Sequence, residues 1–381
     1  MPSRRNVLKQ LAAIGVLAGL GNLPGKAHAA SSNAEEDAAS ASGEQFHMPD
    51  EAAPQTQVWV AFAASADIWG RDYKEVQATI GRLVKAMTPY TKVSVLCREE
   101  EEALARKLCG EQNTRFIVAE LDDIWLRDTG GVFVQNGEGE LGLVDFNFNG
   151  WGDKQEHEQD AGVAELVSQQ ADAHYLQSKL TGEGGGIEVD GNGTGIMTES
   201  CWLNNNRNPG VSKAQLEAEL KANLGLRKII WLPGIKGKDI TDAHVDFYAR
   251  FVRPGVVVVN LDNDPASHDY QVTRQHLAIL KQATDADGNK LELHVLPPPL
   301  DVRDNRFSRS RDFAAGYINY LPINGAVIAP EFGDKAADSY CHDLLAKLYP
   351  GRDIVQINID PVAAGGGGIH CITLHQPACI Y

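Results

Sequence analysis

Strand-like and helix-like runs take turns along most of this chain. "TQVWVAF", "KVSVLC", "TRFIVAE", "GVFVQ", "LGLVDF", "KIIWLP", "VVVVN", "LELHVLP", "AVIAP" and "IVQINI" are short, apolar and largely β-branched. Between several of them lie "DYKEVQATIGRLVKAM", "EEEALARKLC", "DAGVAELVSQQ", "SKAQLEAELKANL", "QVTRQHLAILKQA" and "SYCHDLLAKLY", which have helical character. Strands alternating with helices must pack as layers, so the expected class is α/β. No clean linker interrupts residues 47–381, which are read as one domain. "RDTGGVFV", "FVRPGVVVV" and "PINGAVIAP" each set a glycine turn before a β-branched strand. That pattern is shared by ordinary hairpins and by a repeated ββαβ unit.

The first 29 residues differ from the rest. "SRRNVLK" resembles a twin-arginine export consensus, a short apolar run Leu11–Leu20 follows, and "AHA" offers a small-x-small cleavage site. An exported protein, periplasmic or secreted, handled by the twin-arginine translocase, is therefore expected. Residues 30–46 are small, polar and acidic, as in a disordered tether. No stretch is long and apolar enough for a transmembrane helix. The whole chain carries −16, and the leader contributes four basic residues and no acid, so the body is more acidic still. Nucleic acid and anionic membrane are disfavoured partners, while a cationic small molecule or basic peptide fits. Six cysteines without a C-x-x-C exclude a disulfide scaffold and zinc-finger spacing, leaving at most an isolated disulfide.

Four polar segments carry the candidate chemistry. "DDIWLRDTGGVF" places Arg127 and Asp128 after an aromatic, Trp125. "GEGGGIEVDGNGTGIMTESCWLNNNRNP" is glycine-rich but is neither a dinucleotide fingerprint nor a P-loop, and its acids miss EF-hand spacing. "DITDAHVDFYARFV" holds His244-x-Asp246, expected on one strand face, a pattern for an acid-oriented general base. No H-E-x-x-H occurs, so a metal reading lacks ligands. "GGGGIHC" places Cys371 behind a glycine loop, a candidate nucleophile if a base lies elsewhere in the chain. Taken singly, each segment also reads as structure: a salt bridge, a turn, a buried histidine, an inert thiol.

In this order the segments resemble the guanidino-modifying pentein superfamily, and within it the family joining agmatine deiminases to bacterial peptidylarginine deiminases. "WLRDTGG", the glycine-rich segment, "HVDFYARFV", "NYLPINGAVIAPEFGD" and "GGGIHCIT" match its ordered motifs over about residues 47–381. The resemblance implies a five-bladed α/β propeller of ββαβ units around a central site. It implies Cys371 as nucleophile and His244 as general acid/base. Asp128 and Asp246 would grip the guanidinium, Glu183 would support the histidine, and Trp125 and Asn319 would lie against the substrate or the cysteine. His370 is left to packing or bonding the loop. No metal or organic cofactor is implied.

The chain departs from the family at Gly131, Ala243, Leu374 and His375, positions expected to shape the pocket for the far end of the substrate, and "WVAFAASADIW" lacks a proline found in many members. The expected reaction is hydrolysis of agmatine to N-carbamoylputrescine and ammonia. The alternatives are citrullination of peptidyl-arginine, an amidinotransferase, and a non-catalytic guanidinium-binding protein.

Overall fold

The computed structural model describes residues 45–379. The expected export signal and nearly all of the tether lie outside the described residues.

All ten strand-like runs become strands and all six helical stretches become helices. Among the described residues sixteen strands form five small sheets. The first three are β1 (Gln55–Phe62), β2 (Lys92–Cys97) and β3 (Thr114–Val118). The next unit is β4 (Val132–Gln135), β5 (Leu141–Asp145) and β6 (His174–Gln177). Then follow β7 (Glu188–Val189), β8 (Thr194–Thr198) and β9 (Lys228–Leu232). The fourth unit is β10 (Ala249–Arg253), β11 (Val256–Val259) and β12 (Glu292–Val295). The last are β13 (Leu321–Ile323), β14 (Ala326–Glu331), β15 (Asp353–Asn358) and, near the chain's end, β16 (Thr373–Pro377).

One rule builds the four three-stranded sheets. Two antiparallel strands are followed by a helix and a third strand parallel to the second. A parallel neighbour cannot be reached by a tight turn, so a crossover helix is required. Val163–Ala171, Lys213–Leu224, Asp269–Gln282 and Lys335–Leu348 are those crossovers. Their ends are locally encoded. Ser212 and Gln215 form a reciprocal capping box, and Gly225 ends that helix in the left-handed region. The remaining sheet breaks the rule in an informative way. β16 pairs antiparallel with β1, so the two ends of the domain make one blade together. The expected five-bladed propeller of ββαβ units is therefore what the chain builds.

The glycine-turn repeat is only partly in register. Pro254-Gly255 joins β10 to β11 and Asn324-Gly325 joins β13 to β14, with both glycines at positive φ. Gly131 instead precedes β4, and the turn equivalent to the other two contains Gly139. Six strands, β6, β7, β8, β10, β13 and β16, lie outside the ten runs; in β7 and β8 neighbouring glycines and acids obscure the apolar pattern. All six cysteines are free thiols. Among the described residues no helix is long and apolar enough to cross a membrane.

Candidate active site

Each blade delivers its polar residue just before its first strand. Asp128 lies in a helical turn, Leu126–Thr129, ahead of β4. Glu183 precedes a tight glycine turn, Gly184–Gly186, ahead of β7. His244 caps, and Asp246 sits within, the turn Val245–Phe247 ahead of β10. Asn319 and Cys371 stand two residues ahead of β13 and β16. His244 and Asp246 are thus on a turn, not on the strand face expected from their spacing. A turn lets the two side chains diverge toward different partners, which a strand would not.

The five segments converge. His244 Nε2 is 3.1 Å from Glu183 Oε2, and its Nδ1 is 3.7 Å from Asp128 Oδ1. Cys371 Sγ is 3.5 Å from Asp246 Oδ2, and the Cys371 backbone N–H donates to Asn319 Oδ1 at 3.3 Å. The Trp151 indole N–H donates to Asp128 Oδ2, and the Gly185 N–H donates to Asp128 Oδ1. A cavity of about 550 Å³ opens onto this group and is lined by His244, Asp246, Cys371, Trp125 and Trp151. Cys371 keeps 8% exposure, enough to be reached from the cavity. Asp246 Oδ1 and Asn319 Nδ2 are buried and have no hydrogen-bond partner. A buried carboxylate oxygen left unpaired is costly, so a donor from a ligand is the natural complement.

Glycines make the convergence sterically feasible. A Cβ on Gly185 would stand 2.6 Å from His244 Nδ1 and 2.9 Å from Asp128 Oδ1. In the terminal quartet, Gly365 presses on Trp69, Gly367 on Trp125 and Gly368 on Asn319, while Gly366 takes φ +95°. Trp69 and Trp125 both donate to Asp123, which fixes the aromatic wall.

The electrostatics are unusual for a Cys-His pair. Burial, then the charges of Asp246 and Asp128, push the Cys371 thiol well above its ordinary range. Burial works against a charged His244, but Asp128, Cys201 and Glu183 together hold its pKa well above the usual value. Burial and the Glu183 and Asp246 charges raise Asp128 despite the pull of His244. Asp246 is held low in spite of its burial, chiefly by His370 and then His244. The unliganded site therefore pairs a neutral thiol with a cationic imidazole. A cation placed between Asp128 and Asp246 would favour the thiolate.

Arg207, Glu51, Arg250 and Glu188 have no role assigned from the sequence, and Arg127, His370 and His375 are named there without their buried partners. Arg207 binds both oxygens of Glu183, at 2.7 and 3.0 Å, and also Asp242 at 2.8 Å. Glu51, Arg127, Arg250, His370 and His375 form a buried ionic hub beside the site, with Glu188 bound to Arg250. Arg207 and Arg250 stand inside segments already singled out, "LNNNRNP" and "ARFV", but nothing local marks them as buried. Glu183, Cys201 and His244 bring ligand-type atoms within 4.8 Å of one another. Arg207 already neutralises Glu183 there, so the donor set suits a guanidinium and not a metal ion. The departures from the family divide. Ala243 lines the cavity at φ +72°, where an L side chain is strained. Gly131, Leu374 and His375 do not line it; they face a separate, very small void beside Arg127 and Met48. The expectation that all four shape the substrate pocket is corrected accordingly.

Comparison with known proteins agrees with this geometry. The model of the Porphyromonas-type peptidyl-arginine deiminase family matches residues 47–377. Agmatine deiminase of Pseudomonas putida is 37% identical over 356 residues, covering 87% of this chain and 96% of that protein. The solved structure of agmatine deiminase from Enterococcus faecalis superposes with a TM-score of 0.83 at 31% identity, covering 88% of this chain and 97% of that one. The C. jejuni agmatine deiminase with substrate bound gives 0.77 at 26% identity, over 87% and 96% of the two chains. With the five ordered motifs placed around one cavity, the chain belongs to the Porphyromonas-type peptidyl-arginine deiminase family, whose members are hydrolytic enzymes acting on guanidino groups.

Proposed function

We propose that this protein is an agmatine deiminase, converting agmatine and water to N-carbamoylputrescine and ammonia. The observation that carries the reading is the pair of buried carboxylates, Asp128 and Asp246, beside Cys371 and His244, with Asp246 Oδ1 unpaired. A guanidinium is planar and permanently cationic, and its N–H groups suit two carboxylates. The names of the relatives supply the substrate.

In this reading the bound cation offsets the two carboxylate charges that hold the thiol neutral. The thiolate attacks the guanidinium carbon. His244, already protonated, gives its proton to the departing nitrogen, and ammonia leaves. An amidino-cysteine remains. Neutral His244 then takes a proton from water, the hydroxide adds to the same carbon, and the C–S bond breaks as the added hydroxyl's proton passes to the departing Cys371 sulfur, which releases the ureido product and restores the thiol. Glu183, held by Arg207, keeps the imidazole in place. Trp125 forms a wall beside the substrate, and Asn319 anchors the backbone of the nucleophile.

Ammonia release from agmatine, free arginine and an arginine-containing peptide, assayed side by side, tests the proposal. Turnover of agmatine above the other two supports it. Turnover of the peptide alone would assign the substrate to the citrullinating branch, and no turnover of any would remove the deiminase reading. Residues 1–29 are further read as an export signal on their sequence alone. A mature chain beginning near residue 30 in the exported fraction checks that.

A further inference from the structure

His370 adjoins the nucleophile in sequence and is fully buried, yet it takes no part in the chemistry above. Its ring lies between two carboxylates. Nδ1 is 2.8 Å from Asp246 Oδ2, and Nε2 is 2.7 Å from Glu51 Oε1. Glu51 in turn binds Arg127 at 2.7 Å and Arg250, which come from two other blades. Ionised carboxylates only accept, so both ring nitrogens must donate. Asp246 is thereby tied through its Oδ2 to a rigid hub, and Oδ1 is the oxygen left without a partner.

We propose that His370 is the positioning residue for Asp246, locking its carboxylate through Nδ1 so that the unpaired Oδ1 faces the guanidinium. The inference rests on the guanidinium reading of the site. The bond to Glu51 holds the ring, and the bond to Asp246 does the positioning. Two charge-assisted hydrogen bonds on a ring with no exposure leave the imidazole no alternative orientation. The carboxylate then meets substrate already aligned.

Two substitutions separate the two bonds. The amide nitrogen of Asn can stand where Nδ1 stands, and that of Gln where Nε2 stands. His370→Asn keeps the donor to Asp246, and His370→Gln keeps the donor to Glu51. The full chain is alkylated at Cys371 with 2-chloroacetamidine, a planar cation, and with neutral iodoacetamide. Native protein should prefer the cation. His370→Gln should lower that preference by about ten- to a hundredfold, the range for a lost hydrogen bond to a charged group. His370→Asn should keep most of it, and the two variants should differ in KM for agmatine in the same order. Equal losses in both variants, or an unchanged preference in His370→Gln, would overturn the positioning role and leave the deiminase reading intact. A native protein with no preference for the cation would overturn both. Should a variant not fold, native protein with 15N-labelled histidine decides. A proton on His370 Nδ1 supports the proposal, and an Nδ1 without one refutes it.

Discussion

Cys371 Sγ and Asp246 Oδ2 lie 3.5 Å apart, so the nucleophile of the site rests beside a negative charge. That placement opposes ionisation of the thiol until a cation arrives. Asp246→Asn should therefore act in two opposite directions. Agmatine turnover should fall by about a thousandfold, as for loss of a charged group preorganised for the transition state. The Cys371 thiol should meanwhile titrate at lower pH, because one of the charges raising it is gone. Iodoacetamide alkylation across pH reads the second effect. An unchanged or raised midpoint would show that Asp246 does not restrain the thiol.

Gly185 sits where His244 and Asp128 come together. A methyl group there would stand 2.6 Å from the imidazole and 2.9 Å from the carboxylate. Gly185→Ala should reduce kcat/KM by about a hundredfold or more, since shifts of an ångström disrupt aligned groups. Its φ is not in the left-handed region, so the backbone tolerates the change and stability should fall far less than activity. Steady-state kinetics and urea unfolding of the same preparation separate the two.

Arg207, Glu183 and His244 form a buried chain of charge. Glu183→Gln leaves Arg207 with Asp242 as its remaining carboxylate partner. Breaking one side of a buried ion pair costs about 3–5 kcal/mol, which urea titration would read as a lower unfolding midpoint. The pH profile should move as well. His244 has a folded-state pKa raised above its unfolded value, so its protonated form persists until pH rises through that raised value. Without Glu183 one cause of the rise is lost. The alkaline limb of kcat/KM should then move to lower pH.

His276 is fully buried against Tyr248, and neither ring nitrogen has a partner. Burial holds its pKa down to about 4, against an unfolded value of 6.5. The unfolded chain therefore binds the proton first, and stability falls as pH drops from 6.5 toward 4. His276→Phe removes this term. The difference between native and variant unfolding free energies should change by about 1.4 kcal/mol per pH unit within that window and flatten above it. A difference independent of pH would mean that the ring is already protonated when folded.

The class of fold was legible because short β-branched runs alternate with longer helix-like stretches along the chain. Every crossover helix was found, since "SKAQLEAELKANL" and its counterparts carry their own spacing and caps. The catalytic candidates were legible through the order of five motifs that together resemble a family; taken singly, each segment reads equally well as structure. Arg250 was not. It lies in "ARFV", which reads as an ordinary strand with a surface arginine, yet it is fully buried against Glu51 and Glu188. His375 and Leu374 were assigned to the substrate pocket because they neighbour Cys371 in sequence. The alternation of a strand turns them to the hub and core side instead.

The sequence by itself determined the alternating elements, the four polar segments and their order, because local propensity, caps and glycine turns act over a few residues. Only the tertiary structure decided what those segments do to one another. β16 must return to β1 before Cys371 can meet residues that precede it by more than a hundred positions. The same closure sets Asp246 between Cys371 and His370, and Glu51 between His370 and two arginines. Those charges are strong because they are buried together, and burial is a property of the assembled ring, not of any local stretch.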